Sequence, residues 1–319
     1  MGVPLPQVAQ FADSLARCLN ANVGNAKCVE LSANIFPPGR VREAFRQTKD
    51  RIESGNTFAE GFGPVARFLP GFFVPVVACG EAAGRLIPAL RFIAEHSRRL
   101  SPVARRLHNA WYYLVIIVGS AWLIVTMVRV VALGVFAGLA ASGNTVVIVG
   151  GTVAAFYFAN RNPAARRKMH ELSLAIPFLR EVQQEWAVTI FTTAMALMYG
   201  TAVPARKMVR LAADAVANVV LADRLRAAMV PIMEGSGFSQ ALSKTRLFPA
   251  EHLATLTTGE EAGELEQAFS RIAGQVGEKL YTKLSVFSAI VHRIVAYAAC
   301  LYVVSQLYFL AVVLVGRTQ

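Results

Sequence analysis

Residues 110–159 read AWYYLVIIVGSAWLIVTMVRVVALGVFAGLAASGNTVVIVGGTVAAFYFA, with Arg129 as the one charge and weakly polar residues gathered at 142–145. As one straight helix rising about 1.5 Å per residue, the stretch would be about 75 Å long, more than twice a hydrocarbon core of roughly 30 Å. It must fold back. The economical solution is a helical hairpin: a first span over about 110–128, a turn between Arg129 and Asn144, and a second span ending near Ala159. Both flanks then lie on one side of the membrane. Arg98, Arg99, Arg105 and Arg106 precede the hairpin, and Arg161, Arg166, Arg167 and Lys168 follow it, so both flanks are expected in the cytoplasm.

A third span is expected from 294–315, which has 22 residues without a charge. Lys279, Lys283 and Arg293 precede it and only Arg317 follows, which puts the short C-terminus outside. Tyr297, Tyr302, Ser305, Gln306 and Tyr308 give this span polar handles that face other spans or mark interfacial depth. The first residues, MGVPLPQVAQ, have neither a charged n-region nor an apolar h-region, so insertion is expected to rely on the internal spans.

Composition agrees with a membrane protein that has large aqueous parts. Hydrophobic residues make up 55% of 319 and the mean hydropathy is +0.46, yet long segments beside the hairpin carry ordinary mixtures of charge. The formal net charge of +12 suits anionic lipid, since much of the excess sits at the hairpin flanks, and no basic run interleaved with aromatics marks a nucleic-acid surface. Cys18, Cys28, Cys79 and Cys300 lack CxxC spacing, so reduced thiols are expected rather than a disulfide framework or a zinc site.

Before the hairpin, Val8, Phe11, Ala12, Leu15 and Leu19 recur at helical spacing, and a second amphipathic run ends near Ala33. Pro37, Pro38 and Gly39 interrupt it, a charged helix follows over about 41–53, and Gly55 and Asn56 break the chain again. The region reads as a bundle of short helices. Residues beyond the hairpin repeat it. A shift of 180 places Phe11 on Phe191, Lys27 on Lys207, Val29 on Val209, Arg46 on Arg226, Gly55 on Gly235 and Phe58 on Phe238. After one deletion, a shift of 179 aligns Pro70 with Pro249, Gly80 with Gly259, Glu81 with Glu260, Gly84 with Gly263, Leu86 with Leu265 and Ile93 with Ile272. Each half ends in G-E-x-A-G-x-L and feeds a span, so the chain is a duplicated unit with an extra span between its copies.

The expected fold class is therefore an all-α membrane protein: two homologous cytoplasmic helical-bundle domains plus three transmembrane helices. Its segments are 1–108, the first bundle; 109–160, the hairpin; 161–283, the second bundle; and 284–319, the third span with a short tail.

In the repeated motif, Gly80, Glu81, Gly84 and Leu86, with Gly259, Glu260, Gly263 and Leu265, suit a helix-to-helix corner. The glycines end one helix and admit its neighbour, while the glutamate caps amides at the start of the helix carrying Leu86, Leu90 and Ile93. A catalytic carboxylate is the alternative, but neither glutamate has a nearby His or Cys in sequence. No phosphate-cradling loop, dinucleotide fingerprint, HExxH or GxSxG occurs, and no catalytic, cofactor or metal residue is expected. His96, His108, His170, His252 and His292 lie in charged or flanking segments, where solvated or interfacial states are expected. Arg129 reads as a turn residue reaching outer-leaflet phosphate.

Two helical repeats with a G-E-x-x-G-x-L corner, a span after each and an extra span after the first, resemble the inner-membrane platform proteins of bacterial type II secretion and type IV pilus machines. Phe58 and Phe238 after their glycines, and Arg106, Leu107, Ala110 and Tyr113 at the membrane entry, extend the resemblance. Leu114 departs from it by replacing a usual proline, and a G-x-P start survives only as Ala202, Val203, Pro204. The resemblance implies a non-enzymatic scaffold in the bacterial inner membrane that couples a cytoplasmic secretion or pilus ATPase to assembly of pilin or pseudopilin filaments. Implied partners are the ATPase, pilins or pseudopilins, other inner-membrane platform proteins, the lipid bilayer and further copies of the chain, with no nucleic acid and no cofactor. Arg42, Arg46, Arg224 and Arg226, on charged helices, are candidate contacts for an acidic motor surface, with a solvated face as the plainer role. A small transporter or channel component acting as an oligomer is the other reading, although spans with almost no internal charge offer it little polar path.

Overall fold

A computed structural model describes residues 2–135 and 177–315, and among these the chain is helical without a strand. Contacts divide it into two units, Met1–Ser101 with His170–Lys283, and Pro102–Met169 with Leu284–Gln319.

The first unit holds both repeats. In the first, α1 (Leu5–Asn20) starts with a proline in its opening turn, where a missing amide hydrogen costs nothing, and buries Val8, Phe11, Ala12 and Leu15 along one stripe. α2 (Asn25–Ala33) and α3 (Arg40–Glu53) follow. Gly55, at φ +88°, then turns the chain into α4 (Phe58–Gly61), where Thr57 and Glu60 cap one another's amides. α5 (Phe73–Ala82) leads to α6 (Leu86–Leu133), which carries Pro102 inside it. Gly134, at φ +84°, comes next, so the first apolar run stays helical a few residues past its expected end near Val128 and breaks within the range 129–144 where the turn is expected.

The second repeat answers element by element. α7 (Pro177–Met198) and α8 (Ala205–Asp214) match α1 and α2, while α9 (Val219–Ala227) and α10 (Met229–Met233) divide the counterpart of α3. α11 (Phe238–Ser243), α12 (Ala250–Glu261) and α13 (Leu265–Val315) complete the order. Phe11, Phe36, Phe45, Phe62 and Phe73 form the centre of the first repeat, with neighbouring ring centroids as close as 4.6 Å. Phe191, Met195, Val209, Leu225, Leu242 and Phe269 form that of the second. The two centres meet through α5, which packs on α7 and α8 and places Cys79 in the second core.

In the second unit the backbone is helical through 110–128 and 294–315. Val115, Ile116, Leu123, Ile124 and Met127 on α6, with Ile294, Leu301 and Val304 on α13, are more than half exposed. Among the described residues, which leave out many side chains of these two runs, no helix is long and apolar enough to cross a membrane. The second expected span and the hairpin turn beyond residue 135 lie outside the described residues.

Candidate functional site: the repeated corner and the junction between repeats

The corner between α5 and α6 is built by backbone geometry. Gly84 adopts φ +66°, where a Cβ would be strained, and the Arg85 amide donates to the Gly80 carbonyl at 2.7 Å while that of Gly84 donates to the Glu81 carbonyl at 3.0 Å. This pairing closes the helix end with a left-handed residue just past the cap. Gly80 serves a different purpose. A Cβ there would lie 2.4 Å from Ala89 Cβ, so its bare Cα lets α6 cross against α5. The second corner reproduces this geometry throughout. Gly263 has φ +72°, the Glu264 amide donates to the Gly259 carbonyl at 2.7 Å, and a Cβ on Gly259 would lie 2.6 Å from Ala268 Cβ.

The glutamates act differently from the sequence expectation. Glu81 does not cap the helix that follows it; its carboxylate accepts from the amides of Phe58 at 2.6 Å and Ala59 at 3.0 Å, at the start of α4. Glu260 likewise accepts from Phe238 at 2.6 Å and Ser239 at 3.3 Å, and from the Ser239 hydroxyl at 2.9 Å. Each carboxylate thus ties the end of one helix to the start of a helix more than twenty residues earlier, where the amides converge on an anion. Both oxygens of each carboxylate accept from the backbone of that earlier helix, so the glutamates serve as structural ties between helices. Among the described residues there is no group of three His, Cys, Asp or Glu that could hold a metal ion.

A junction between the repeats lies beyond the corners. Arg85 forms a two-pronged ion pair with Glu266, at 2.5 and 3.2 Å, and Arg99 bridges Glu95 and Glu278. Between these pairs His96 is fully buried, with Nδ1 2.6 Å from the Tyr281 hydroxyl and its ring against Phe72, Phe92 and Trp186. Burial pushes the His96 imidazole down to about 4 and the Tyr281 hydroxyl up to about 12, so both stay neutral at neutral pH. A cleft of about 610 Å³ opens here, walled by α6, α7 and α13.

Sequence patterning across this geometry fits one known family: that of type II secretion system (T2SS) protein F matches twice, over residues 11–134 and 191–316. The chain belongs to the type II secretion system protein F family. Each match contains one corner and the charge-poor run after it, so bundle and run are repeated together. The type II secretion system protein F of Vibrio cholerae is 22% identical over 295 residues, covering 85% of this chain and 73% of the relative. That of Pseudomonas aeruginosa is 23% identical over 296 residues, with the same coverage. The type IV pilus assembly protein PilC of Myxococcus xanthus is 21% identical over 316 residues, covering 92% and 76%.

In this protein F family member, two of the four candidate contact arginines are committed internally. Arg42 donates to the carbonyls of Asn34 at 3.0 Å and Phe36 at 2.5 Å, closing the turn after α2, and Arg226 pairs with Asp214 at 2.6 Å and Asp223 at 2.7 Å. Arg46 is largely exposed beside Glu43, and Arg224 is exposed. His108 and His292 are exposed and His170 lies outside the described residues, but His96 and His252 are buried, contrary to the sequence expectation. His252 occupies the place of the core residue Phe73 under the 179 shift, a signal the repeat itself carries. His96 continues the buried stripe of Ala89, Ile93 and Leu100, a stripe masked in sequence by the charges at Glu95, Arg98 and Arg99.

Proposed function

We propose that the chain is the platform protein of a type II secretion or type IV pilus machine, a non-enzymatic body that passes motor movement into the membrane. Membership of a family whose relatives are named for those machines carries the reading. The two bundles, 1–108 and 161–283, are cytoplasmic, and the runs at 109–160 and 284–319 supply three crossings with the N-terminus inside and the C-terminus outside. The flanking basic residues and the exposed apolar side chains on α6 and α13 support that topology. The corners fix where the two long helices that leave the bundles, α6 and α13, begin, and the ion pairs of Arg85 and Arg99 join those helices across the repeats. A displacement of the bundles is then shared by both helices. The driving partner is a cytoplasmic ATPase that meets the bundle surfaces, at Arg46 and Arg224 among other positions, and the moved subunits are pilins or pseudopilins.

The test is a pull-down of the full chain from mild detergent, with reporter fusions mapping topology in parallel. Expected results are co-purification of a secretion-type ATPase, loss of it when Arg46 and Arg224 are reversed in charge, no nucleotide turnover by the purified chain, and cytoplasmic reporters near Gly235. Intrinsic nucleotide turnover, periplasmic exposure near Gly235, or full assembly activity after deletion of both bundles overturns the reading.

A further inference from the structure

We infer that the face made by α8 and α10 in the second repeat docks an acidic amphipathic helix of a partner protein. The first repeat shows what this face looks like when it needs no partner. There Lys27, Glu30, Lys49 and Glu53 form a chain of ion pairs across α2 and α3: Lys27 to Glu30 at 3.2 Å, Lys49 to Glu30 at 3.7 Å and Lys49 to Glu53 at 3.5 Å. Two cations and two anions neutralise one another on the surface.

The shift of 180 puts Lys207, Arg210, Met229 and Met233 in those four places. Both acids are gone. Arg206, Lys207 and Arg210 project from the exposed side of α8, spaced to share one face, and none of them is in an ion pair among the described residues. Val230 and Met233, which stand where the first repeat has Asp50 and Glu53, are 56% and 59% exposed, while Met229 packs partly into the core. α8 contacts α10 directly, and the equivalent positions in the first repeat lie within ion-pair distance, so cations and apolar side chains belong to one surface.

That combination sets the chemistry of the occupant. Three unneutralised cations require carboxylates, and two exposed apolar side chains require an apolar counterpart between them. A helix with Glu or Asp flanking a Leu or Phe stripe supplies both, and methionine adapts its shape to such a stripe. A bilayer surface is the poorer fit, since the patch has no exposed aromatic side chain to enter the interface.

The test uses the full chain in neutral-lipid nanodiscs. The probes are a synthetic Glu/Leu amphipathic peptide, its Lys/Leu counterpart, and vesicles of phosphatidylglycerol in phosphatidylcholine. The triple variant Arg210→Glu, Met229→Lys, Met233→Glu rebuilds the first repeat's ion-pair chain in the second and should keep the melting temperature. The expected result is binding of the Glu/Leu peptide by the unchanged protein, weakened at least tenfold in the triple variant and by added salt, with no binding of the Lys/Leu peptide. Should the triple variant fail to fold, Lys207→Glu and Met233→Glu singly must each weaken peptide binding several-fold. Equal binding by variant and unchanged protein overturns the inference, as does vesicle binding at this face without peptide binding. Loss of motor association with peptide binding intact counts against the platform reading alone.

Discussion

The first repeat fills its centre with phenylalanine and the second with methionine, leucine and alanine, yet both turn the same corner. Phe36, Phe45, Phe62 and Phe73 have Val216, Leu225, Leu242 and His252 as counterparts, and of these five central phenylalanines Phe11 alone is answered by a phenylalanine, Phe191. At the corners the hydrogen-bond lengths agree within a few tenths of an ångström and the glycine dihedrals within a few degrees. Core volume can be supplied by several side-chain sets, whereas a left-handed residue, a bare Cα under a crossing helix and a carboxylate between two amides have few substitutes.

The largest effect should come from the residue whose surroundings differ most. Phe11→Ala removes a ring packed against four others and should cost about 4 kcal/mol; Phe191→Ala, whose ring meets only Phe248 among the described ring pairs, should cost measurably less. Denaturant unfolding of the full chain in detergent checks this, and equal losses would mean that the aromatic cluster adds nothing beyond volume.

Next comes pH. His96 has a folded pKa of about 4, below its ordinary 6.5, so the unfolded chain binds the extra proton between those values. Its contribution is complete above pH 6.5 and is lost as the pH falls toward 4, by about 3 kcal/mol in all. The counterpart position holds the exposed Gln275, which cannot titrate. Melting the protein from pH 7 to 4 should show the loss, and His96→Gln should flatten most of it, with a remnant from His252, whose imidazole burial also pushes down.

The two corners should then behave alike. Gly80→Ala and Gly259→Ala each drive a Cβ into an alanine, and both should destabilise by about 2 kcal/mol. Ala89→Gly should restore the first and Ala268→Gly the second; failure of either rescue would locate the constraint elsewhere. The smallest expected effect is that of Glu81→Gln, about 1 kcal/mol, because an amide oxygen still accepts but without charge. Glu260→Gln should cost somewhat more, since the Ser239 hydroxyl adds a bond, and thermal melts of the two variants give the order.

The helices, their breaks and the duplication were legible because they rest on local patterning: the stripe at Val8, Phe11 and Leu15, the breaks at Gly39 and Gly55, and the double corner. The reach of Glu81 to Phe58 was not legible. A carboxylate beside glycines points as readily to the next helix as to one far back in the chain, and only tertiary packing brings α4 under it. The sharing of one core through α5 was hidden for the same reason, as Cys79 and Ala82 suit either bundle. His96 was obscured by the charges of Glu95 and Arg99 that flank it on its own helix, although its spacing from Ala89 and Ile93 marked it as buried. Arg42 looked like surface charge because two backbone carbonyls as its acceptors leave no trace in sequence.

Pro102 sits where the compact unit gives way after Ser101, inside α6, and its counterpart on α13 is Tyr281. Proline has no amide hydrogen to offer the Arg98 carbonyl, so the ladder of α6 lacks a rung at that level. α13 keeps its rung there, and its tyrosine is braced by His96. In mechanical terms the two struts leaving the repeats differ in bending stiffness: one behaves as a rod and the other as a rod with a compliant joint.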